Sequence, residues 1–405
     1  MTTPLPPHPR LLCLATREEA RRELERLGVR APADQWMADK WPALPVRVEN
    51  VEGRAANLLK QEMLALGGDC AVHEQVAAFD RTPRPAILLG TRRIYRRLIA
   101  RSRLQPWGLP ALGEELRLLL ARLEGDMPPV QTAHGPLVMG RRTLIMGILN
   151  VTEASFSGDG LGEDVAAAVA RAQAFVAAGA DLIDLGAEST RPGAPEVSEA
   201  EELARVVTTI RALREVLDLP ISVDTRRARV AREAVAAGAD LINDIWALRQ
   251  EGMLEAAAEL GVPVCLMHMQ GTPQTMQQNP HYEDLLTEVY GFLAERMEAA
   301  LAAGVAEANI IVDPGLGFGK LPEHNLELVR RLREFHSLGR PVLLGPSRKA
   351  TIGKILDKPP DQRQWGTAAM IAVGIAHGAD LVRVHDVDEM AQVAKVADAV
   401  VRGTG

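Results

Sequence analysis

The chain has 405 residues, 47% of them hydrophobic and 24% charged, a globular composition long enough for one large domain and a smaller one. Aromatic residues make up only 3% and the formal net charge is −7, which argues against a base-stacking nucleic-acid surface and against attraction to anionic membranes. The three cysteines, Cys13, Cys70 and Cys265, lie far apart and in no CxxC pair, so a reducing, cytoplasmic setting is expected. The N-terminus lacks the basic start and apolar core of a signal peptide, and no apolar run approaches the roughly 20 residues of a membrane helix, so a soluble protein is expected.

Taken in chain order, the first element is a helix to about residue 27, opened by the capping box Thr16-Arg-Glu-Glu19. Strands are predicted near residues 11–14, 46–51, 70–73 and 86–89, and helices over 54–66, 91–103 and 112–123. Arg92, Arg93, Arg96, Arg97, Arg101 and Arg103 share one broad face of the 91–103 helix; a solvated basic surface is the default reading, with an anion or the acidic remainder of the chain as other partners. At Asp126-Met-Pro-Pro-Val130 the helical pattern stops. Residues 1–127 carry a net charge of +4 and the remainder −11. Two domains are predicted, 1–127 and 128–405, the first a small α/β domain.

The second part contains an internal repeat. Ala177-Ala-Gly-Ala-Asp-Leu-Ile-Asp184 recurs as Ala236-Ala-Gly-Ala-Asp-Leu-Ile-Asn243 and as Ala376-His-Gly-Ala-Asp-Leu-Val-Arg383. Each copy ends a helix on a glycine suited to the left-handed position and enters a short apolar strand. Related turns lead into Pro220-Ile-Ser-Val-Asp224, Pro263-Val-Cys-Leu-Met267, Asn309-Ile-Ile-Val-Asp313 and Pro341-Val-Leu-Leu-Gly345. With Thr143-Leu-Ile-Met-Gly-Ile-Leu149 in front, eight apolar strands alternate with helices. That pattern predicts a parallel sheet buried on both faces, closed as a (β/α)8 TIM barrel, with no GxGxxG to favour an open dinucleotide-binding sheet.

Barrel chemistry belongs at the C-terminal ends of the strands. Polar groups stand there at Asn150, Glu188 to Arg191, Asp224, Asn243, His268, Asp313, Ser347 to Lys349, and Arg383 with His385. Any one of them could merely cap the next helix; the whole set points to a site. Asp224, Asn243 and Asp313 suit a heterocycle edge rich in N–H donors. Arg191, Arg348, Lys349, Arg383 and His385 suit an anion. Asn150 is a candidate weak Mg2+ ligand that would act together with substrate phosphates. The run Asp313-Pro-Gly-Leu-Gly-Phe-Gly-Lys320 has no Walker spacing and reads as a mobile lid or a ligand-facing loop, with Phe318 as its apolar contact.

These motifs, in this order, resemble dihydropteroate synthases over residues 138–400. Ile145-Met-Gly-Ile-Leu-Asn-Val-Thr152 is similar to the family's first-strand signature, and Gly186-Ala-Glu-Ser-Thr-Arg-Pro-Gly193 to its second loop. Ser222-Val-Asp-Thr225, Asn243-Asp-Ile245, Met267-His-Met-Gln-Gly-Thr-Pro273, Ser347-Arg-Lys349 and Arg383-Val-His385 complete the set. The resemblance implies condensation of 6-hydroxymethyl-7,8-dihydropterin diphosphate with p-aminobenzoate, the small-molecule partners, to give 7,8-dihydropteroate and pyrophosphate. It implies pterin binding by Asp224, Asn243, Met267, Asp313 and Lys349. Asn150, Arg191, Arg383 and His385 would bind the diphosphate, and Asn150 its Mg2+. Thr190, Pro192, Phe318, Ser347 and Arg348 would shape the p-aminobenzoate pocket, where sulfonamides compete. Of these, Asp224, Asp313, Lys349, Arg383 and His385 are the expected catalytic set, and a homodimer through the last barrel helices is expected.

One segment departs from the family pattern. The expected Pro-Asp-Ser-Phe-Ser-Asp-Gly-Gly after Asn-Val-Thr reads Glu153-Ala-Ser-Phe-Ser-Gly-Asp-Gly160, so Asp159 would have to serve for the displaced aspartate. Two other readings follow from the same residues. One is a pterin-dependent methyltransferase, which would not need the Ser347-Arg-Lys349 and Arg383-Val-His385 sets; the other is a non-catalytic pterin-binding paralogue. The leading domain resembles the extension found on some bacterial and archaeal dihydropteroate synthases and carries no recognisable chemistry.

Overall fold

The computed structural model describes residues 12, 16–78, 80–124, 127–151, 161–188 and 197–403. Most of the strand expected at 11–14, the first-loop segment 153–160 with Asp159, and the loop residues Thr190, Arg191 and Pro192 lie outside the described residues. The chain divides into two compact units, Met1–Glu124 and Gly125–Gly405.

The first unit runs α1 (Arg17–Arg26), α2 (Ala33–Ala38), β1 (Leu44–Val51), α3 (Gly53–Ala65), β2 (Asp69–Ala71), β3 (Arg84–Gly90), α4 (Arg92–Ser102) and α5 (Leu109–Glu124). Its antiparallel sheet has the order β1-β3-β2, with Val46 and Cys70 both opposite Leu88. Alternation along β3 buries Ala86 and Leu88 and exposes Ile87 and Leu89, so one face carries the core. Helix α4 meets that core with Tyr95, Leu98, Ile99 and Ser102, an apolar stripe at helical spacing. The capping box at Thr16 and Glu19 forms as the sequence predicts. The short α2 has no counterpart among the predicted elements. Three of the six arginines on the basic face of α4 are answered within its own unit: Arg96 meets Asp39 at 2.6 Å and Glu124 at 3.0 Å, Arg101 meets Glu62 at 2.8 Å, and Arg92 is buried 3.4 Å from Glu124.

The second unit is the expected barrel. Its strands are β4 (Leu144–Asn150), β5 (Leu182–Gly186), β6 (Ile221–Asp224), β7 (Leu241–Asp244), β8 (Val264–Met267), β9 (Ile310–Asp313), β10 (Leu343–Leu344) and β11 (Leu381–Val384). All neighbours pair in parallel in the order β10-β11-β4-β5-β6-β7-β8-β9. A single bridge, Val312 to Val342, closes the ring between β9 and β10. The intervening helices are α6 (Leu161–Ala177), α7 (Glu199–Arg214), α8 (Ala228–Ala237), α9 (Met253–Leu260), α10 (Leu285–Ala303), α11 (Pro322–Arg330), α12 (Ala350–Leu356), α13 (Gln364–Ala376) and α14 (Val387–Arg402). No helix among the described residues is long and apolar enough to cross a membrane.

The sequence repeat explains how strands join. Its glycine adopts the left-handed conformation at Gly179, Gly238 and Gly378. Its aspartate then reaches back to the preceding strand: Asp181 accepts from the backbone N–H of Ile145, Asp240 from that of Ile221 and Asp380 from that of Val342, at 2.8–2.9 Å. Asp240, fully buried, also holds Arg214 and the His134 ring. Each of these carboxylates therefore satisfies a buried strand-start donor that would otherwise lack a partner.

Inside the ring, Leu182, Leu241, Ile311 and Leu381 come from alternate strands and pack with Met146, Cys265 and Leu343, the layering expected of this architecture. Val130, Leu137 and Met139 join the same cluster, on a segment clasped by reciprocal backbone bonds between Val130 and Leu137. This apolar floor ahead of β4 was not predicted. Two residues further along the same alternate strands, the interior turns polar: Asp184, Asn243, Asp313 and Arg383.

Candidate active site

Three members of the polar layer, Asp184, Asn243 and Arg383, form one hydrogen-bonded group with Asp224. Arg383 donates through Nε to Asp184 at 2.5 Å and through Nη2 to Asp224 at 2.7 Å, while the Asn243 amide donates to Asp184 at 3.2 Å. Burial opposes the Arg383 charge, but Asp184 and Asp224 outweigh it and keep the guanidinium ionised. Burial is the main force raising Asp224 to about 7; Arg383 opposes the rise and Asp184 adds to it. Asp313 is raised to about 6 by burial, against a 2.7 Å bond from the Gly315 N–H and the nearby lysine charges. Lys349 falls to about 8 through burial and the Arg383 charge, with its ammonium 4.2 Å from the centre of the Phe318 ring. Acids held up and a lysine held down, within one mouth, mark a site whose protonation changes near neutrality.

The loop after β10 forms the opposite wall. Ser347 Oγ lies 2.9 Å from His385 Nδ1 and accepts from the His385 backbone N–H at 3.1 Å. Burial and the charges of Arg383 and Arg348 pull His385 down to about 3, so the ring is neutral. A Ser347 hydroxyl that donates to Nδ1 leaves the His385 proton on Nε2. Arg348 sits at φ 56°, an uncommon conformation for a side chain of its size. It is held by its guanidinium on Asp386, its N–H on Thr367 Oγ1 at 3.0 Å, and its carbonyl under Arg363 at 3.0 Å.

The glycine-rich loop after β9 is pinned. Lys320 is buried, and its ammonium donates to the carbonyls of Gly315 (3.0 Å) and Phe318 (3.1 Å) and to His268 Nδ1 (2.8 Å). Burial and the Lys320 charge lower His268 to about 2, so its ring nitrogen is free to accept. A side chain at Gly315 would stand 2.0 Å from the His268 carbonyl oxygen, and one at Gly319 2.6 Å from that of Gln270. The glycines let this loop lie flat on the loop after β8. Phe318 of this loop lines the site cavity.

Asn150, Asp224, Phe318, Ser347, Arg348, Lys349, Arg383 and His385 surround one cavity of about 490 Å3. Asn243 and Met267 are buried beside it, Met267 packing with Phe318 and Ile245, and Asp313 shares the polar layer. Thr190, Arg191 and Pro192 are outside the described residues. Three participants escaped the sequence reading: Asp184, Lys320 and Arg363. Asp184 could have been found, because it fills the repeat position that Asn243 and Arg383 fill in the other copies. Among the described residues no group of three or more His, Cys, Asp or Glu could hold a metal.

A parallel barrel with carboxylates and an amide at its centre, and a lysine, serine and histidine on its wall, defines a pterin-binding barrel enzyme; the family model described as pterin binding enzyme matches residues 146–385. The chain is 50% identical to the dihydropteroate synthase of a Synechocystis species over 277 residues, 68% of this chain and 96% of that protein. Among solved structures, a Yersinia pestis dihydropteroate synthase in a sulfonamide drug complex matches with a TM-score of 0.65 and 45% identity, over 68% of this chain and 100% of that one. A Xanthomonas albilineans dihydropteroate synthase with 4-aminobenzoic acid matches with a TM-score of 0.64 and 45% identity, over 69% and 100%. The chain belongs to the dihydropteroate synthases, transferases of folate biosynthesis. The methyltransferase reading is thereby set aside. The leading unit has relatives too: a probable bifunctional folylpolyglutamate synthase/dihydropteroate synthase of Halobacterium salinarum is 42% identical over 386 residues, 95% of this chain but only 46% of that protein.

Proposed function

We propose that the cavity condenses 6-hydroxymethyl-7,8-dihydropterin diphosphate with p-aminobenzoate through the following division of labour. Asp224, Asn243, Asp313 and Lys349 hold the pterin, whose N–H edges suit paired carboxylates, while Met267 contacts its ring. On binding, the pterin takes Asp224 from Arg383, and Arg383 with Arg191 and His385 Nε2–H faces the diphosphate. Thr190, Pro192, Phe318, Ser347 and Arg348 receive p-aminobenzoate, the position at which a sulfonamide would compete. The amine nitrogen forms a bond to the pterin methylene carbon as the C–O bond to the diphosphate breaks. Pyrophosphate leaves with the bonding pair, and the amine gives up a proton. Asp313 and Asp224 face the cationic character that develops on the pterin, a preorganised field requiring no protein nucleophile.

Mg2+ fits this chemistry: the amide oxygen of Asn150, which lines the cavity, suits an ion that arrives on the diphosphate and keeps most of its shell from phosphate and water. When bound, it would neutralise charge on the leaving group.

The observation that carries the reading is the placement of the Asp224–Arg383–Asp184–Asn243 group in the barrel mouth that Lys349 and His385 also wall. Pyrophosphate release that requires both substrates is the expected result. Tight binding of the pterin diphosphate without turnover would instead identify a non-catalytic paralogue, the reading that the altered segment 153–160 motivates.

A further inference from the structure

Most carboxylates at the repeat positions of this barrel are structural, and Asp184 is different. Asp181, Asp240 and Asp380 each accept a backbone N–H from the neighbouring strand. The hydrogen bonds of Asp184 go to side chains of the site: its Oδ2 accepts from Arg383 Nε at 2.5 Å and from Asn243 Nδ2 at 3.2 Å. It has no exposed surface, and its Oδ1 is buried with no hydrogen-bond partner among the described residues.

A carboxylate bonded to a guanidinium is an acceptor only. The amide of Asn243 must therefore turn its nitrogen toward Asp184 and keep its oxygen as the acceptor it offers elsewhere. By holding Arg383 at Nε, the same carboxylate fixes the plane of the guanidinium, and that plane is what brings Nη2 onto Asp224. One buried group thus sets the facing of two residues that the proposed function assigns to substrate.

Resting on that assignment, we propose that Asp184 is a positioning residue for the pterin substrate, fixing the amide orientation of Asn243 and the plane of Arg383 without touching the reacting atoms. The amide oxygen of Asn243 is then left facing away from Asp184, free to accept a ring N–H from its partner. Asp184 also tunes Asp224: its charge contributes to the rise of that carboxyl.

The test is Asp184→Asn, which preserves shape and removes charge, assayed with both substrates. Loss of the oriented bonds should lower kcat/KM for the pterin diphosphate by about thirtyfold. The KM for p-aminobenzoate should stay within about twofold, since no residue assigned to it bonds to Asp184. The acid limb of the pH profile should move to lower pH, because Arg383 is then shared with no other carboxylate. Combined with Arg383→Gln, the variant should lose little beyond Arg383→Gln alone. Unchanged pterin kinetics, fully additive losses, equal rises in both KM values with a fall in Tm, or failure to fold would each overturn the proposal. The last two would make Asp184 part of the core. Turnover by the unaltered chain decides the underlying reaction separately.

Discussion

At the residue scale, the site is organised by charges that burial has moved toward neutrality. Asp313 and Asp224 are raised to about 6 and about 7, and Lys349 is lowered to about 8. Below about pH 6 the two acids carry protons and cannot accept paired N–H bonds, so kcat/KM should rise with pH as they ionise. Above about pH 8 Lys349 loses its charge, and kcat/KM should fall again. A bell with its maximum between these limits is expected from steady-state rates over pH 5–9; a flat profile would count against the roles given to all three. The legibility of a site residue in the sequence depends on whether it interrupts an apolar run. Groups at strand ends, such as Asn150, Asp224 and Lys349, stand out because polar residues break apolar runs. Asp184 sits one register inside its strand, so it read as the close of a repeat and not as a site group. Lys320 closes a glycine-rich run, and nothing local foretells that its ammonium turns inward to His268, 52 residues earlier.

At the element scale, the repeat is the device that builds the ring. A helix ends on a left-handed glycine, an aspartate clasps the neighbouring strand, and a short apolar strand follows. Asp240 shows what the clasp contributes, because it serves the Ile221 N–H, Arg214 and His134 together. Asp240→Ala would strand a buried N–H and leave Arg214 without its ion partner, which should cost about 3–5 kcal/mol. Thermal unfolding should show it as a fall in Tm of at least several degrees. A variant that melts with the unaltered chain would refute the clasp. The repeat and the apolar strands were readable because their physics is local: hydrophobic runs, turn glycines and spacing. The floor made by Val130, Leu137 and Met139 was not, since its meaning depends on the space left beneath a closed ring. Nor were the partners of the α4 arginines, which come from Asp39, Glu62 and Glu124 on other elements.

At the scale of the whole molecule, the last two helices leave apolar side chains in water. Trp365 on α13 is 76% exposed, and Val396 and Val400 on α14 are 66% and 80% exposed. Large exposed apolar groups on adjacent elements mark association surfaces. We expect them to form the homodimer, and Val396→Asp with Val400→Asp should shift the mass measured by light scattering from dimer to monomer. A monomeric unaltered chain would dispose of that expectation. The leading unit is a separate case. Its fold could be outlined from alternation and capping, and its relationship to the Halobacterium salinarum protein extends along nearly the whole chain. Among its described residues, charged groups such as Arg96, Arg101 and Arg17 pair with carboxylates of the same unit.

The ring is also unequally fastened. Strands β5 to β9, which carry Asp184, Asp224 and Asp313, are joined edge to edge by continuous ladders, whereas β10 has two residues and meets β9 through one bridge. Ser347 and Arg348 hang from that loosely sewn side. Native-state hydrogen exchange should therefore release the amides around β10 before those of β5 to β8. On the proposed assignment of Ser347 and Arg348 to p-aminobenzoate, the same asymmetry has an evolutionary meaning: the berth of the second substrate could be recut by substitution while the berth of the first stays stiff. A lineage under pressure to refuse an imitator of p-aminobenzoate would then have its freedom to change on the side where the barrel is least tightly stitched.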